Sequence, residues 1–165
     1  MNLKPERVFH YFRELSDIPR ESHNEKAVSD YIYNFGKKLG LETKQDDILN
    51  VYMRKPATKG YENKPGIILQ GHMDMVCEKA TSSKHNFATD KIEWVVKDDL
   101  LFANNTTLGA DDGIAVAMAM AILEDETLVH PELEVLITVT EETTMAGALG
   151  LEKGLLKGKY FFNID

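Results

Sequence analysis

The sequence contains a single cysteine, Cys77, and no long apolar run among its 165 residues. One cysteine excludes an internal disulfide framework. The first residues lack the apolar stretch of a signal peptide, and no segment reaches the length that a membrane-spanning helix requires. We therefore expect a soluble protein of the cytosol.

The chain also lacks an excess of basic residues, because its 27 aspartates and glutamates outnumber its 19 lysines and arginines. The resulting formal net charge of -8 argues against nucleic acids and anionic membranes as partners, since both bind basic patches. Hydrophobic residues make up 43% of the chain, and we find no repeats or low-complexity segments. This composition predicts one globular domain with a sizeable core.

Helical and extended patterns alternate along the chain. Pro5 begins a first helix that Pro19 ends, and residues 22–25 have the spacing of a capping box ahead of a second helix that stops at Gly40. Further patterns predict strands near 42–45, 50–53, 66–70, 133–139 and 160–164, a hairpin at 94–102 and a helix that starts at 112–113. Strands that alternate with helices predict an α/β fold with a largely parallel sheet.

Four segments with acidic or histidine side chains each follow an apolar run. They are Gly71-His72-Met73-Asp74, Leu108-Gly109-Ala110-Asp111-Asp112-Gly113, Thr140-Glu141-Glu142-Thr143 and Phe162-Asn163-Ile164-Asp165. Because the strand ends of a parallel α/β sheet present ligands and catalytic groups, we expect these side chains to converge. One histidine with several carboxylates is typical of a two-metal hydrolytic site.

The spacing within these segments indicates how such a site works. His72 and Asp74 are two residues apart on an extended segment and point the same way, so Asp74 can accept the proton on the far nitrogen of a metal-bound imidazole. Glu141 and Glu142 are adjacent acids at the end of a buried strand, where they repel each other unless something compensates them. A metal bound by one glutamate, with the other acting on activated water, supplies that compensation.

Each motif alone also has a simpler interpretation. His72 and its neighbouring acid can be a pair of surface side chains, and Asp112 can be the N-cap of a helix. Asp165 can belong to a frayed chain terminus. The glutamate pair also fits a solvent-exposed strand exit. The remaining histidines have no carboxylate at ligand-like spacing, and we interpret them as structural or surface residues: His10, His23, His85 and His130.

Taken in this order, the segments resemble those of the co-catalytic di-zinc metallopeptidases, a family that includes carboxypeptidase G, peptidase T and the aminoacyl-histidine dipeptidases. The likeness is greatest to the aminoacyl-histidine dipeptidase branch, and it rests on residues 18–25, 70–76 and 107–113. It extends over essentially the whole chain. It implies a three-layer α/β sandwich with a largely parallel mixed sheet, which is the catalytic-domain fold of these peptidases.

The resemblance also implies a role for each site residue. His72 and Asp165 are expected to bind one zinc ion, Glu142 the second, and Asp111 both, with a cis peptide between Asp111 and Asp112. Glu141 is expected to be the general base, and Asp74 to orient His72. Two Zn2+ ions per active site are implied, although cobalt and manganese also suit one histidine with carboxylates.

The chain departs from the family in two respects. Family members take a further ligand of the second metal from a histidine near their C-terminus, and they have an inserted lid or dimerisation domain. Neither is present after Asp165, so we expect residues 1–165 to be the N-terminal part of the catalytic domain in a fragment that is a poor catalyst or inactive. The full-length form is expected to be a cytoplasmic homodimer that hydrolyses unblocked dipeptides such as Xaa-His.

Three alternatives remain open at this point. A related di-zinc hydrolase, such as a tripeptidase or an N-acyl amino acid deacylase, has the same metal chemistry with another substrate. A metal-binding module without turnover is a second alternative for the chain as it stands. The third is a flavodoxin-like α/β domain whose acids lie on surface loops, although it leaves the succession of acids at four strand ends unexplained.

Overall fold

The computed structural model of the protein describes residues 3–165. Its helices are α1 (Glu6–Ser16), α2 (Lys26–Lys38), α3 (Ala110–Glu124), α4 (Glu141–Thr144) and α5 (Ala146–Leu149). Its strands are β1 (Glu42–Gln45), β2 (Val51–Lys55), β3 (Ile67–His72), β4 (Trp94–Lys97), β5 (Leu100–Ala103), β6 (Leu133–Thr138) and β7 (Tyr160–Asn163).

The main sheet has five strands in the order β1-β2-β6-β3-β7. β1 pairs with β2, and β2 with β6, in antiparallel orientation, whereas β3 runs parallel to both β6 and β7. The predicted α/β class with a mixed sheet is therefore confirmed, and the parallel pairing is confined to β6, β3 and β7. These three strands end at the same edge of the sheet, which brings the segments that follow them together.

Strand β6 lies at the centre of the sheet, and all six of its residues are buried. Its four apolar, partly β-branched residues favour this position, since a strand covered on both faces has no polar side to expose. The buried carboxylate of Glu134 accepts hydrogen bonds from Tyr52 Oη and the backbone nitrogen of Lys157. Val135 and Ile137 pack into the main hydrophobic core together with Met53 of β2. The same core includes side chains from α1, α2 and α3, namely Phe12, Leu15, Val28, Ile32, Val116 and Met120.

Helix α3 is the longest helix, with 15 residues, and it packs against α1 and β3. Its first turn is irregular, because Asp111 and Asp112 have non-helical backbone angles. Within residues 3–165, no helix combines the length and the apolarity needed to cross a membrane. The predicted hairpin forms as β4 and β5, which make a separate two-stranded sheet.

The predicted capping box ahead of α2 is wrong. The N-cap residue of α2 is Glu25, which makes no side-chain cap hydrogen bond. Instead, Ser22 Oγ donates a hydrogen bond of 2.7 Å to Asp74, and Glu25 accepts hydrogen bonds from the backbone and the hydroxyl of Thr140. Both side chains thus bind distant segments, because tertiary partners satisfy them better than the local helix end does.

Strand β7 is an edge strand of the main sheet, and its apolar side chains are about half-exposed. Tyr160, Phe161 and Phe162 are 50%, 54% and 52% exposed, respectively. The apolar sequence predicted the strand itself, but it did not distinguish an exposed edge position from a buried one. An uncovered apolar edge of this kind favours further strand pairing.

Candidate metal centre

The segments singled out in the sequence converge at the end of the three parallel strands. His72 ends β3, Asp165 follows β7, and Glu141 and Glu142 begin the short helix α4 after β6. The Nε2 atom of His72 lies 3.1 Å from an oxygen of Asp111, 3.8 Å from one of Glu141 and 3.9 Å from one of Asp165. The simpler interpretation of His72 and Asp74 as a surface pair is wrong, because their side chains are 1% and 0% exposed.

The position of Asp111 in the fold differs from that of the other three acids in the cluster. It does not follow a strand of the main sheet, but lies in the irregular first turn of α3 after Gly109. Gly109 has a φ of 68°, a left-handed conformation that glycine adopts without strain. The peptide bond between Asp111 and Asp112 is cis, as the family resemblance implied.

The contacts of His72 determine which ring nitrogen is available to a metal. The imidazole is 1% exposed, and its Nδ1 lies 3.1 Å from the backbone oxygen of Asp74 and 3.3 Å from the carboxylate of the same residue. Two acceptors at Nδ1 favour the tautomer with the proton on that nitrogen. The lone pair of Nε2 then points at the carboxylates of Asp111, Glu141 and Asp165. This is the orientation that a histidine ligand requires.

The electrostatic surroundings of His72 are strongly negative. Burial lowers the pKa of the imidazole, but the hydrogen bond and charge of Asp74, the charge of Asp112 and a hydrogen bond to Asp111 raise it to about 9. A pKa above the ordinary value means that the surroundings stabilise a positive charge at the ring. The cluster therefore favours a cation beside Nε2.

Asp74 is a fully buried carboxylate that contacts several parts of the site. Its oxygens accept hydrogen bonds from Ser22 Oγ at 2.7 Å and from the backbone nitrogens of Glu141 and Glu142 at 3.0 and 3.2 Å. Burial raises the pKa of this carboxyl, but the hydrogen bonds from His72, Ser22 and the Glu141 backbone outweigh it and lower the pKa to about 2. Asp74 is therefore ionised at neutral pH, in contact with both His72 and the start of α4.

Asp112 is buried against β3 rather than serving as a helix N-cap. Its Oδ2 accepts a hydrogen bond of 3.0 Å from the backbone nitrogen of His72. Its carboxylate thus binds the backbone of β3 instead of the first turn of α3, so the capping interpretation of Asp112 is wrong. A Cβ atom at position 71 would collide with the Asp112 carboxylate, which explains the glycine there. Burial raises the pKa of Asp112 to about 6, against the opposing influence of His72.

Two groups of side chains have ligand atoms close enough to hold a metal ion. One consists of His72, Glu141 and Asp165, the other of His72, Asp111 and Glu142, and within each group the ligand atoms lie within 4.8 Å of one another. One imidazole with carboxylates is a donor set that suits zinc, cobalt and manganese. The residues present therefore fit a metal, and both Glu141 and Glu142 lie at ligand distance from the cluster.

Three residues of the site were missed or misinterpreted in the sequence. Ser22 and Glu25 were taken for helix caps, but they bind Asp74 and Thr140. Arg20 was not singled out, although its buried guanidinium donates hydrogen bonds to backbone oxygens of the His72 segment. No local pattern marks these side chains, because their partners are far away along the chain.

The other histidines lie outside both ligand groups. His23 contacts α4, since its Nε2 lies 3.4 Å from the hydroxyl of Thr143. His130 is buried, and its Nδ1 lies 2.7 Å from the backbone oxygen of Pro131. These positions agree with the interpretation of the remaining histidines as structural or surface residues.

The chain is similar to known bacterial dipeptidases. No family model matches the chain. The chain is 40% identical, over 163 residues and 99% of its own length, to the cytosol non-specific dipeptidase of Escherichia coli, of which this covers 34%. The crystal structure of aminoacylhistidine dipeptidase from Vibrio alginolyticus matches with a TM-score of 0.95 and 40% identity, over 98% of this chain and 33% of that one.

A tripeptidase structure from Staphylococcus aureus matches less closely, with a TM-score of 0.79 and 26% identity, over 97% of this chain and 43% of that one. The chain thus spans about a third of the length of the two dipeptidases and less than half of the tripeptidase. Along nearly its whole length, the chain is therefore homologous to part of the bacterial cytosol non-specific and aminoacylhistidine dipeptidases, and it has their α/β fold.

Proposed function

We propose that this chain is the N-terminal part of the catalytic domain of a metal-dependent dipeptidase of the cytosol. The whole protein then hydrolyses the peptide bond of unblocked dipeptides such as Xaa-His. The convergence of His72 with the carboxylates of Asp111, Glu141 and Asp165 is the observation that carries this proposal. The substrate class rests on the two relatives that are named as dipeptidases.

The donor atoms suit a pair of zinc ions in the whole protein. We assign His72 and Asp165 to one ion and Glu142 to the other, and Asp111 to both; cobalt and manganese fit the same donors. Such ions would lower the pKa of bound water to ~7 and polarise the substrate carbonyl. Two observed groups of ligand atoms, His72 with Glu141 and Asp165 and His72 with Asp111 and Glu142, bring these side chains within 4.8 Å of one another. The division of the ligands between two ions follows the family resemblance.

Glu141 is the general base in this proposal. Its carboxylate oxygen lies 3.8 Å from His72 Nε2, so it faces the position where water and substrate would meet the ligands. A carboxylate there accepts the proton of the attacking water and later donates it to the leaving amine. The backbone nitrogen of Glu141 is hydrogen-bonded to Asp74, which orients the start of α4 towards the cluster.

Asp74 is the residue that orients the imidazole. Its carboxylate accepts a hydrogen bond from Nδ1–H of His72 and thereby keeps the Nε2 lone pair directed at the ligand cluster. We further propose, from the family resemblance, that a lid domain outside this chain closes over the site and forms a homodimer. Exclusion of water by such a lid strengthens the electrostatic interactions inside the site.

The test is hydrolysis by the natural protein that contains this chain, assayed on Xaa-His dipeptides, tripeptides and N-acyl amino acids. We expect dipeptides to be cleaved fastest, cleavage to stop after metal removal, and zinc to restore it. Preferred cleavage of tripeptides or N-acyl amino acids would replace the proposed substrate class with one of its alternatives.

The Glu141→Gln variant tests in the same assay whether Glu141 is the general base or a metal ligand. Glutamine keeps the size of the side chain but cannot accept the proton, so we expect zinc binding to be retained and turnover to be lost. Wild-type activity in this variant would contradict the assignment of Glu141, whereas loss of zinc would move Glu141 into the ligand set.

A further inference from the structure

Arg20 is a buried arginine that contacts two segments of the candidate metal centre. It is 2% exposed and is among the largest fully buried side chains of the chain. Its Nη1 donates hydrogen bonds of 3.0 Å to the backbone oxygen of Met73 and 3.3 Å to that of Asp74. Its Nη2 donates to the backbone oxygen of Gly109. One guanidinium therefore connects the segment after β3 with the segment before α3.

The partners of Arg20 are unusual for a buried cation. All three hydrogen bonds go to backbone oxygens and none to a carboxylate, and Nε has no partner among the described residues. Burial lowers the pKa of the guanidinium to about 10, while the nearby negative charges of Asp74, Asp112 and Asp111 oppose this effect. The side chain is thus a permanent positive charge close to the acidic cluster.

Two glycines keep the space that the guanidinium occupies. A Cβ atom at position 109 would lie 2.5 Å from Arg20 Nη2, and one at position 113 would lie 2.6 Å from it. Both positions belong to the segment that contains Asp111. The backbone of this segment therefore passes close around the guanidinium, at a distance that a side chain would prevent.

The connection is significant because the two segments contain different metal ligands. The backbone oxygens of Met73 and Asp74 immediately follow His72, and that of Gly109 lies two residues before Asp111. The main chain of Arg20 adds to the contact, since its oxygen accepts a hydrogen bond of 3.1 Å from the nitrogen of Met75. Without the guanidinium, buried carbonyl groups would lose their donors and the acids would lose a compensating charge.

We propose that Arg20 is a positioning residue of the metal centre, which fixes the His72 and Asp111 segments at ligand spacing and compensates the acidic cluster before metal binds. This inference rests on the proposed metal site but concerns residues that do not contact the metal or the substrate. Groups that orient metal ligands typically affect metal affinity by about 10- to 100-fold.

The test compares Arg20→Met, Arg20→Lys and the wild-type chain in zinc affinity and in amide hydrogen exchange without metal. We expect Arg20→Met to bind zinc at least about tenfold more weakly. We also expect faster exchange at the amides of His72 and Glu141, which donate to Asp112 and Asp74. Amides of the central strand β6 should remain protected.

Arg20→Lys provides a second variant in case the methionine variant does not fold. Lysine keeps the charge but lacks the planar fork that reaches both segments, so we expect an intermediate zinc affinity with unchanged secondary structure. The control is Leu15→Ala, which removes a core side chain of α1 that is 1% exposed. It should lower thermal stability, yet leave zinc affinity and exchange at the site unchanged.

Wild-type zinc affinity and exchange in both Arg20 variants would overturn the inference. An equal loss of affinity in Leu15→Ala would also overturn it, since the effect would then be one of general stability. Because amide hydrogen exchange is measured without metal, it tests the positioning role of Arg20 independently of whether the site binds zinc. A wild-type chain that binds no zinc would contradict the proposed function, whereas site-specific exchange changes would still support the positioning role.

Discussion

Substitution of Asp74 by asparagine removes a buried charge from the centre of the site while keeping the size of the side chain. Asp74 is 0% exposed, and its two oxygens accept hydrogen bonds from Ser22 Oγ, Glu141 N and Glu142 N. Asparagine has only one acceptor oxygen, so its NH2 group faces either one or two of these donors. The variant therefore loses at least one hydrogen bond to a charged acceptor.

The magnitude of this loss follows from the number of contacts. A hydrogen bond to a charged group contributes ~1.5–3 kcal/mol, so we expect the free energy of unfolding to fall by ~2–4 kcal/mol. This is less than the typical stability of a domain, ~5–15 kcal/mol, and the variant should remain folded. The asparagine NH2 also competes for the Nδ1 position of His72 and favours the wrong tautomer, which should weaken zinc binding ~10- to 100-fold.

The assay combines denaturant unfolding in metal-free buffer with a zinc titration against a chromophoric chelator. Ser22→Ala is the matched control, because it removes only one of the donors to Asp74 and should cost ~1.5–3 kcal/mol. An Asp74→Asn variant with unchanged stability and unchanged zinc affinity would refute the role assigned to this carboxylate.

Two further substitutions address the ligands and their packing. Gly71→Ala places a methyl group against the Asp112 carboxylate and 3.2 Å from Ala115 Cβ. We expect this substitution to lower the free energy of unfolding by ~1–3 kcal/mol in a denaturant titration. A wild-type unfolding curve would contradict this packing. Asp111→Ala in the natural protein should abolish binding of both metal ions in elemental analysis, and retention of two ions would exclude the bridging role.

The sequence predicted those parts of the fold whose pattern is local. Strand β6 is mostly apolar, with Glu134 as its only charged residue, and the β4–β5 hairpin has two short apolar runs around a polar turn. Neither element therefore depends on distant residues for its type. The convergence of His72 with Glu141 and Asp165 also followed from the pattern, because the ends of parallel strands meet at one edge of a sheet.

The features that sequence analysis missed depend on partners far along the chain. Ser22 binds Asp74 across 52 positions, and Glu25 binds Thr140 across 115 positions. A capping-box spacing is a short-range pattern, and it gives no information about such tertiary competitors. The same holds for Arg20, whose contact with Gly109 spans 89 positions.

The exposure of β7 was also beyond the sequence pattern. Phe161 and Phe162 are apolar residues of the kind that usually occupies a core, yet the strand lies at the edge of the sheet. Periodicity indicates that a segment is extended and apolar, but the strand order determines what covers it.

Zinc stoichiometry of this chain tests the proposed metal centre most directly. After dialysis against metal-free buffer, zinc loading and removal of free metal, we predict about one tightly bound zinc ion per chain, lost in His72→Ala. His10→Ala is the control, since that imidazole is 45% exposed on α1 and should not affect binding. A folded chain that retains no zinc, or a His72→Ala variant that retains as much as the wild type, would contradict the proposed metal centre.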